Sequence, residues 1–307
     1  MGKNLNSNLT KAKKEKNDEF YTQYVDVEKE LSHYTAHFKD KVVYCNCDNP
    51  IESNFCKYFI SNFEILGLKK LIVSCYVKDN LGCYLEYEGN EIIIKKFKSD
   101  GDFKSEECIE LLKQADIVVT NPPFSLFREY VAQLVEYNKK FLIVGHQNAI
   151  TYKGIFPLIK NNKLWLGIDN GGIKWFKVQN HYDIETKTRI KIEEGQKYFS
   201  MGSVIWFTNL NNIKQHTKVL LSKTYFGNEI EYPTYDNYNA IEVSKVANIP
   251  KDFKGNMGVP ITFIDKYNSE QFEILKLGKS NDNKLLEING KYPYARIIIK
   301  HKELINK

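Results

Sequence analysis

Short apolar segments alternate with amphipathic segments through the first half of the chain, and this alternation limits the possible folds more than any other feature. The strand-like segments cover residues 42–44, 71–73, 91–97, 117–120 and 141–144. The helix-like segments cover residues 54–63, 106–114 and 126–137. Such an alternation predicts an α/β fold, with a mainly parallel sheet that carries helices on both faces.

Polar residues follow several of these strands, at the edge where ligands bind in open α/β sheets. They are Asn46 and Asp48 after the first strand, Ser74 and Tyr76 after the second, Asn121 after the fourth, and Gln147 and Asn148 after the fifth. The sequence therefore predicts a binding site at these strand ends. For Asp48, which precedes an Asn-Pro pair, a role as a turn residue is the alternative.

The residues Asn121, Pro122, Pro123 and Phe124 directly follow the apolar run 117–120. Proline fixes its own φ at about −65° and also restricts the residue before it, so the carbonyl groups of this loop are held in place. The loop resembles the catalytic loop of methyltransferases that act on amino groups. As the alternative, the two prolines merely end a buried strand and Phe124 belongs to the core.

Chemistry at an amino group explains this choice of residues. The exocyclic amine of adenine is a poor nucleophile because its lone pair is delocalised into the ring. Two acceptors on its N–H bonds, the side-chain carbonyl of Asn121 and the main-chain carbonyl of Pro122, would favour a pyramidal nitrogen and free the lone pair for attack on a sulfonium methyl. Phe124 would stack on the base, which must leave the duplex to be modified.

The pattern changes near residue 161, where aromatic and glycine-containing short segments replace the helices. Such segments lie at residues 164–167, 173–177 and 201–209, and a closing strand is predicted at 294–300. Segments of this composition predict β-strands and loops. The second half of the chain is therefore expected to be rich in β-structure.

We divide the chain into a basic N-terminal tail (1–16), a catalytic core (17–160) and a β-rich region (161–307) whose strands can share the core sheet. The tail carries five lysines against one glutamate. A solvated tail is the alternative to a contact with nucleic acid. The net charge of +6, from 44 Lys and Arg against 38 Asp and Glu, permits a polyanionic partner without requiring one.

The composition indicates a folded protein with no metal site and no membrane segment. Apolar residues make up 42% of the 307 residues, which is enough for a substantial core. All six cysteines precede residue 110 and no two form a C-x-x-C pair, so a zinc site is not expected. Without a signal peptide or an apolar run of about eighteen residues, we expect a cytoplasmic protein with reduced thiols.

Six motifs together resemble the EcoRI-type family of adenine-specific DNA methyltransferases. They are NDEFYT at 17–22, NCD at 46–48, TNPPF at 120–124, QNAITYK at 147–153, MGSVIWFTN at 201–209 and GVPITFIDKY at 258–267. The resemblance extends from residue 16 to the end of the chain. The family that it identifies carries out the chemistry that the residues of the loop 121–124 already suggest.

This resemblance implies a Rossmann-like sheet that uses S-adenosylmethionine, a C-terminal β-rich target-recognition region, and methyl transfer to the N6 amine of adenine in double-stranded DNA. It places Phe20, Tyr21 and Thr22 at the methionine part of the donor. Asn46 and Asp48 match the first-loop position of related enzymes, where Asp48 can supply charge for the donor ammonium. A cognate restriction endonuclease that acts separately fits this picture, whereas a metal and a membrane do not.

Asp102 and Phe103 are the predicted contacts of the donor's adenine ring, one as an acceptor for its amine and the other as an apolar face. A turn beside Gly101 is the alternative role for Asp102.

The sequence departs from the usual methyltransferase pattern in two places. Residues 46–54 contain no glycine, and residues 74–76 lack the acidic side chain that usually binds the ribose hydroxyls.

Basic side chains of the second half are candidates for phosphate contacts, with ordinary solvated surface residues as the alternative. They are Lys153, Lys174, Lys177, Arg189, Lys191 and Lys197.

Two other functions stay open from the sequence. The same chemistry could act on RNA adenine or on a glutamine amide in protein, or the chain could be a non-catalytic nucleic-acid binder with a methyltransferase-like shell.

Overall fold

The computed structural model of the protein describes residues 21–172, 174–178, 189–200, 202–279 and 282–302. These residues form two compact units. The first unit consists of the residues up to Ala149 together with Leu166–Leu210, and the second consists of Ile150–Trp165 together with the residues from Asn211 onward. The predicted tail at 1–16 and Phe20 of the predicted donor site lie outside the described residues.

The first unit alternates strands and helices, as the sequence pattern predicts. Its helices are α1 (Tyr24–Leu31), α2 (Thr35–Phe38), α3 (Asn54–Ser61), α4 (Phe63–Leu66), α5 (Glu106–Gln114) and α6 (Phe127–Glu136). Its strands are β1 (Tyr21–Thr22), β2 (Val42–Cys45), β3 (Lys70–Cys75), β4 (Cys83–Tyr87), β5 (Ile92–Lys96), β6 (Ile117–Thr120), β7 (Lys140–His146), β9 (Phe176–Lys177), β10 (Ile190–Glu193), β11 (Gln196–Phe199) and β12 (Val204–Thr208). The strand β8 (Trp165–Leu166) begins at the boundary between the units.

The large sheet has eight strands in the order β5-β4-β3-β2-β6-β7-β12-β8. The four central strands β3, β2, β6 and β7 are parallel, whereas β4, β5 and β12 pair in the antiparallel direction. The α/β class is therefore confirmed, but the expected mainly parallel sheet is mixed. Every residue of β2 and β6 is buried, which explains why these two short strands read as uninterrupted apolar runs.

The strand order of the large sheet fixes where a ligand site can form. From β2 the chain first moves to β3 on one side and later returns to β6 on the other side. A reversal of this kind leaves a crevice between the loops that follow the two neighbouring strands. In this protein the loop after β2 begins at Asn46, and the loop after β6 begins at Asn121.

Residues 166–210 belong to the first unit, although the sequence-based division places them with the β-rich second half. The reason is the pairing of β12 with β7, in which Trp206 lies opposite Val144. Strands β1, β9, β11 and β10 form a separate four-stranded antiparallel sheet. In that sheet Tyr21 lies opposite Lys177 and Thr22 lies opposite Phe176, so these two residues of the predicted donor segment run beside β9.

The second unit is dominated by β-structure, as its composition predicts. It contains the short helix α7 (Phe156–Lys160) and strands β13 (Thr234–Tyr235), β14 (Tyr238–Glu242), β15 (Met257–Pro260), β16 (Phe272–Leu277) and β17 (Arg296–His301). These strands form one sheet in the order β13-β14-β15-β17-β16. The predicted closing strand is β17, which begins directly after Ala295, a residue with a positive φ of 29°.

Candidate active site

Asp48 is the centre of the loop that follows β2. Its carboxylate is buried and accepts hydrogen bonds from the hydroxyl of Ser53, at 2.8 Å, and from the hydroxyl of Thr120. The main-chain N–H of Asp48 donates to the carbonyl of Ser74 at 3.0 Å. The loop after β2 is thereby joined to the ends of both neighbouring strands, β3 and β6.

Ser53 explains why α3 begins where it does. Its side-chain oxygen accepts hydrogen bonds from the main-chain N–H groups of Phe55, at 3.1 Å, and Cys56, at 3.3 Å, which is the arrangement of an N-cap. The same hydroxyl donates to Asp48. The start of α3 and the ends of β3 and β6 are therefore connected through the hydrogen bonds of one residue, Asp48.

Asn46 is also buried, and only one side of its amide is satisfied. Its Oδ1 accepts a hydrogen bond from the hydroxyl of Tyr130 on α6, while its Nδ2 has no hydrogen-bond partner among the described residues. Burial raises the pKa of Tyr130 well above its usual value, so the phenol stays protonated and can donate. An unpaired buried amide is costly, because such groups are normally hydrogen-bonded. A ligand that accepts from Nδ2 would remove this cost.

Thr22 has the same property and lies near the start of α3. Its main-chain carbonyl accepts a hydrogen bond of 2.8 Å from Asn54 Nδ2, at the first residue of α3. The side chain is 3% exposed, yet its Oγ1 has no hydrogen-bond partner in the described part of the chain. Thr22 and Asn46 are thus two predicted donor-site residues that each carry an unsatisfied buried polar atom.

The loop Asn121–Phe124 lies at the carboxyl end of β6, next to the residue that bonds to Asp48. Pro122 is buried, and Asn121 and Pro123 are half-buried. Phe124 is 7% exposed, and its ring meets the ring of Phe176 edge-on, with centroids 6.5 Å apart. Phe124 therefore packs in the core of the first unit and at the same time ends the loop that carries Asn121.

Asp102 and Phe103 lie in the loop before α5. The Phe103 ring packs edge-on against Tyr130 with centroids 5.1 Å apart, and Tyr130 in turn donates to Asn46. The carboxylate of Asp102 accepts the N–H of Lys104 at 3.0 Å, which is the hydrogen bond of a turn residue. The structure connects Phe103 to Asn46 through Tyr130, and it gives Asp102 the turn contact that the sequence left as its alternative.

The end of β3 carries hydroxyl groups in place of the usual acidic residue. Ser74 Oγ lies 2.8 Å from the hydroxyl of Tyr44, within the sheet interior.

The thiols beside the site are not activated, since burial raises the pKa of Cys45 and of Cys47 well above its usual value. In the described residues no group of three or more His, Cys, Asp and Glu side chains is placed to hold a metal ion.

Lys174 was wrongly expected among the phosphate-binding residues. It is 3% exposed, and its ammonium lies 3.0 Å from a carboxylate oxygen of Asp169, which also accepts from Lys29 at 2.6 Å. A buried and paired lysine cannot reach a phosphate. Lys191 pairs with Glu193 at 2.9 Å, whereas Lys153 and Lys177 are exposed.

Glu30 and Tyr130 are residues of this region that the sequence analysis missed. Glu30 is fully buried and accepts the N–H groups of Ile168, at 2.8 Å, and Asp169, at 2.5 Å, so it fixes the turn between β8 and β9. Both residues sit on the apolar faces of helices and give no local signal. Ser53 could have been found, because a serine directly before a helical pattern is a standard N-cap signal.

Comparison with known proteins gives matches along almost the whole chain. Residues 8–302 match the family described as adenine-specific methyltransferase EcoRI. The chain is 53% identical to the Type II methyltransferase M.EcoRI of Escherichia coli, over 97% of this chain and 98% of the relative. It is 40% identical to the Type II methyltransferase M.MpnI of Mycoplasma pneumoniae, over 96% of this chain and 98% of the relative. No solved structure matches the chain. Within the described residues, no helix has the length and apolar character needed to cross a membrane.

Proposed function

The chain belongs to the EcoRI family of adenine-specific methyltransferases, and we propose that it transfers a methyl group from S-adenosylmethionine to the N6 amine of a flipped adenine in double-stranded DNA. The observation that carries this proposal is the position of Asn121. It follows directly on Thr120, whose hydroxyl donates to the buried carboxylate of Asp48. A candidate group for the amine and a candidate group for the donor are therefore linked through one hydrogen bond.

The buried polar atoms around Asp48 fit a polar ligand such as the donor. Thr22 Oγ1 and Asn46 Nδ2 have no protein partner among the described residues, and both can bond to the amino acid part or the ribose of S-adenosylmethionine. Asp48 would face the donor ammonium, and Phe103 would contact its adenine ring. Phe20 and Tyr21 remain predicted contacts of the methionine part. When bound, S-adenosylmethionine supplies an electrophilic methyl group on its sulfonium.

The residues of the loop prepare the adenine amine for attack. The side-chain carbonyl of Asn121 and the main-chain carbonyl of Pro122 accept one N–H each, so the nitrogen becomes pyramidal and its lone pair becomes available. Pro122 is buried, and a fixed acceptor away from water stabilises developing positive charge more than a solvated one would. After transfer, one of the two hydrogen-bonded protons leaves the nitrogen to solvent.

Phe124 would give the extruded base a preset surface. Its ring is fixed edge-on by Phe176 of β9, which is paired with the strand that carries Thr22. Stacking on a ring that is already ordered costs less conformational entropy than stacking on a mobile one. The aromatic residue of the loop and the predicted donor segment are thus supported by the same small sheet.

The remaining parts of the proposal concern organisation and partners. We assign the Rossmann-like methyltransferase core to the first unit, and target recognition to the β-rich second half of the chain. Since M.EcoRI and M.MpnI are Type II methyltransferases by name, an endonuclease that acts separately on the same sequence is the expected companion of this protein.

The proposal is tested by offering the purified protein three methyl acceptors with labelled S-adenosylmethionine. We expect label in double-stranded DNA, recovered as N6-methyladenine after digestion to nucleosides. Transfer to RNA or to protein glutamine without transfer to DNA would overturn the choice of substrate. Absence of donor binding would overturn the catalytic function and favour a non-catalytic nucleic-acid binder.

A further inference from the structure

An irregular segment of the second unit, residues 218–226, presents apolar side chains to solvent. Leu220 is 95% exposed and Phe226 is 67% exposed. Large apolar side chains that stand fully in solvent are unfavourable when they are held in place, and a group of them marks a contact surface more often than a single one does. The segment therefore needs an explanation that the fold of the second unit does not supply.

Leu220 is exposed although the backbone on both sides of it is held by hydrogen bonds. Val219 donates its N–H to Gln271 Oε1 at 2.8 Å and accepts from Gln271 Nε2 at 2.9 Å. On the other side, the carbonyl of Lys223 accepts the N–H of Lys251 at 3.0 Å. The backbone on both sides of Leu220 is thus bonded to the body of the second unit, and the side chain is held outward.

The charge around Leu220 indicates the kind of partner. No Asp or Glu occurs between residues 211 and 228, whereas Lys218 and Lys223 are exposed and have no carboxylate within salt-bridge distance in the part of the chain that the structure describes. The neighbouring Lys214 is already paired with Asp265 at 2.7 Å. Farther along the segment, the carboxylate of Asp252 accepts the N–H groups of Tyr225, at 2.6 Å, and of Phe226, at 3.3 Å. The excess of positive charge is therefore local to Leu220, and an apolar side chain between two such lysines suits a polyanion that also offers an apolar contact.

The second unit contains a natural comparison for this arrangement. Ile230 is 96% exposed, as much as Leu220, but it lies between Glu229 and Glu231. A polyanion would be repelled from that position and attracted to the other. If apolar exposure alone decided DNA binding, Leu220 and Ile230 would contribute equally. Because their neighbours differ in charge, we expect DNA to contact Leu220 and to avoid Ile230.

We propose that segment 218–226 is a DNA-contacting surface, in which Lys218 and Lys223 bind backbone phosphates and Leu220 enters a groove of the duplex. This inference rests on the proposed function, because it assumes that DNA is the substrate. Proteins that bend or open DNA insert apolar side chains such as leucine between base steps, and flanking lysines supply the affinity. A protein partner would need carboxylates placed to match the two lysines, whereas DNA is already the proposed substrate and carries a phosphate at every nucleotide.

The test compares two alanine variants of equal exposure. Genomic DNA methylated by the wild-type protein is first sequenced to find the modified site, and a short duplex with that site is then used as the probe. We expect Leu220→Ala to bind this duplex about tenfold more weakly than the wild-type protein, since a leucine contact is lost. Ile230→Ala should bind as the wild-type protein does. Both variants should keep the wild-type unfolding midpoint and donor affinity.

A second pair of variants tests the phosphate contacts. Replacing Lys218 and Lys223 with glutamine should reduce the slope of log K against log salt concentration by about two, because two counterion-releasing contacts are lost. The matched control replaces Lys41 and Lys69, which are exposed at the amino ends of β2 and β3, and should leave the slope unchanged.

The outcomes separate this inference from the function on which it rests. A wild-type protein that methylates no DNA contradicts the proposed function. A wild-type protein that methylates DNA while Leu220→Ala binds the duplex as tightly as Ile230→Ala overturns the proposed surface. Tighter binding of the wild-type protein to duplex RNA of the same sequence would overturn the choice of DNA as its occupant.

Discussion

The hydroxyl of Thr120 donates a hydrogen bond to the carboxylate of Asp48, and this bond joins the ends of two parallel strands at the point where the sheet order reverses. Thr120 is the last residue of β6, and Asn121 follows it directly. The loop proposed to hold the adenine amine is therefore anchored to the loop proposed to hold the donor. In a reaction that depends on the in-line approach of amine and methyl, such mutual anchoring matters because small misplacements lower the rate.

Removing the charge of Asp48 should weaken donor binding. Asp48→Asn keeps the size of the side chain, and the hydroxyls of Ser53 and Thr120 can still bond to it. Because hydrogen bonds to charged groups contribute about 1.5–3 kcal/mol, we expect the Kd for S-adenosylmethionine to rise about tenfold or more. Titration calorimetry measures this change, and Thr120→Ser, which keeps the hydroxyl, is the control. An unchanged Kd for Asp48→Asn would remove Asp48 from the donor site.

Tyr130→Phe should disturb the site through Asn46. The variant removes the hydroxyl that donates to Asn46 Oδ1 and leaves this buried acceptor with only the thiol of Cys47, 4.0 Å away, at a cost of about 1–3 kcal/mol. We expect a loss of unfolding free energy of this size in urea, together with weaker donor binding. Tyr137→Phe, at the end of the same helix, should change neither quantity. Equal effects of the two variants would show that Tyr130 contributes only its ring.

Glu30→Gln should destabilise the turn that leads to β9. Its carboxylate accepts two main-chain N–H groups, and a glutamine amide offers only one oxygen to them. We expect a loss of about 1–3 kcal/mol in the free energy of unfolding. The rate of methyl transfer should also fall, since β9 carries Phe176, which fixes Phe124. The exposed Glu28→Gln on the same helix is the control, and an equally stable Glu30→Gln would contradict this role.

His146 should make the protein less stable in mild acid. Burial, assisted by the charge of Arg189, lowers the pKa of His146 below its usual value of 6.5. A base with a lowered pKa binds its proton more readily in the unfolded state, so the stability is fully present above pH 6.5 and is lost as the pH falls below it. We expect urea unfolding to show this loss, and His146→Gln to flatten it. A variant with the wild-type pH dependence would assign the effect to other groups.

Much of the site could be predicted from the sequence because its elements are local. The runs at β2 and β6 are buried on both faces, so their apolar residues are consecutive and their polar ends stand out. The pattern predicts Asn46, Asp48 and Asn121 as site residues because they follow these strands. The prolines of the loop and the serine before α3 likewise act through the backbone of their immediate neighbours.

The features that could not be predicted depend on distant pairing. Strand β4 has Leu85 as its only buried residue, so its alternation was too weak to recognise. Strand β12 joins the large sheet by pairing with β7, which lies about sixty residues earlier in the chain, and no local pattern encodes that partner. The charge of Lys174 predicted exposure, but Asp169 compensates that charge inside the protein.

The central claim is that Asn121 activates the amine that receives the methyl group, and the most direct measurement is the single-turnover rate of methyl transfer by Asn121→Ala. With saturating S-adenosylmethionine and a DNA substrate that the wild-type protein methylates, we expect a loss of about 100-fold to 1,000-fold, as when one preorganised hydrogen-bonding group is removed from an active site. Donor affinity and DNA affinity should stay at their wild-type values. A variant that methylates adenine at the wild-type rate would contradict the proposed role of Asn121.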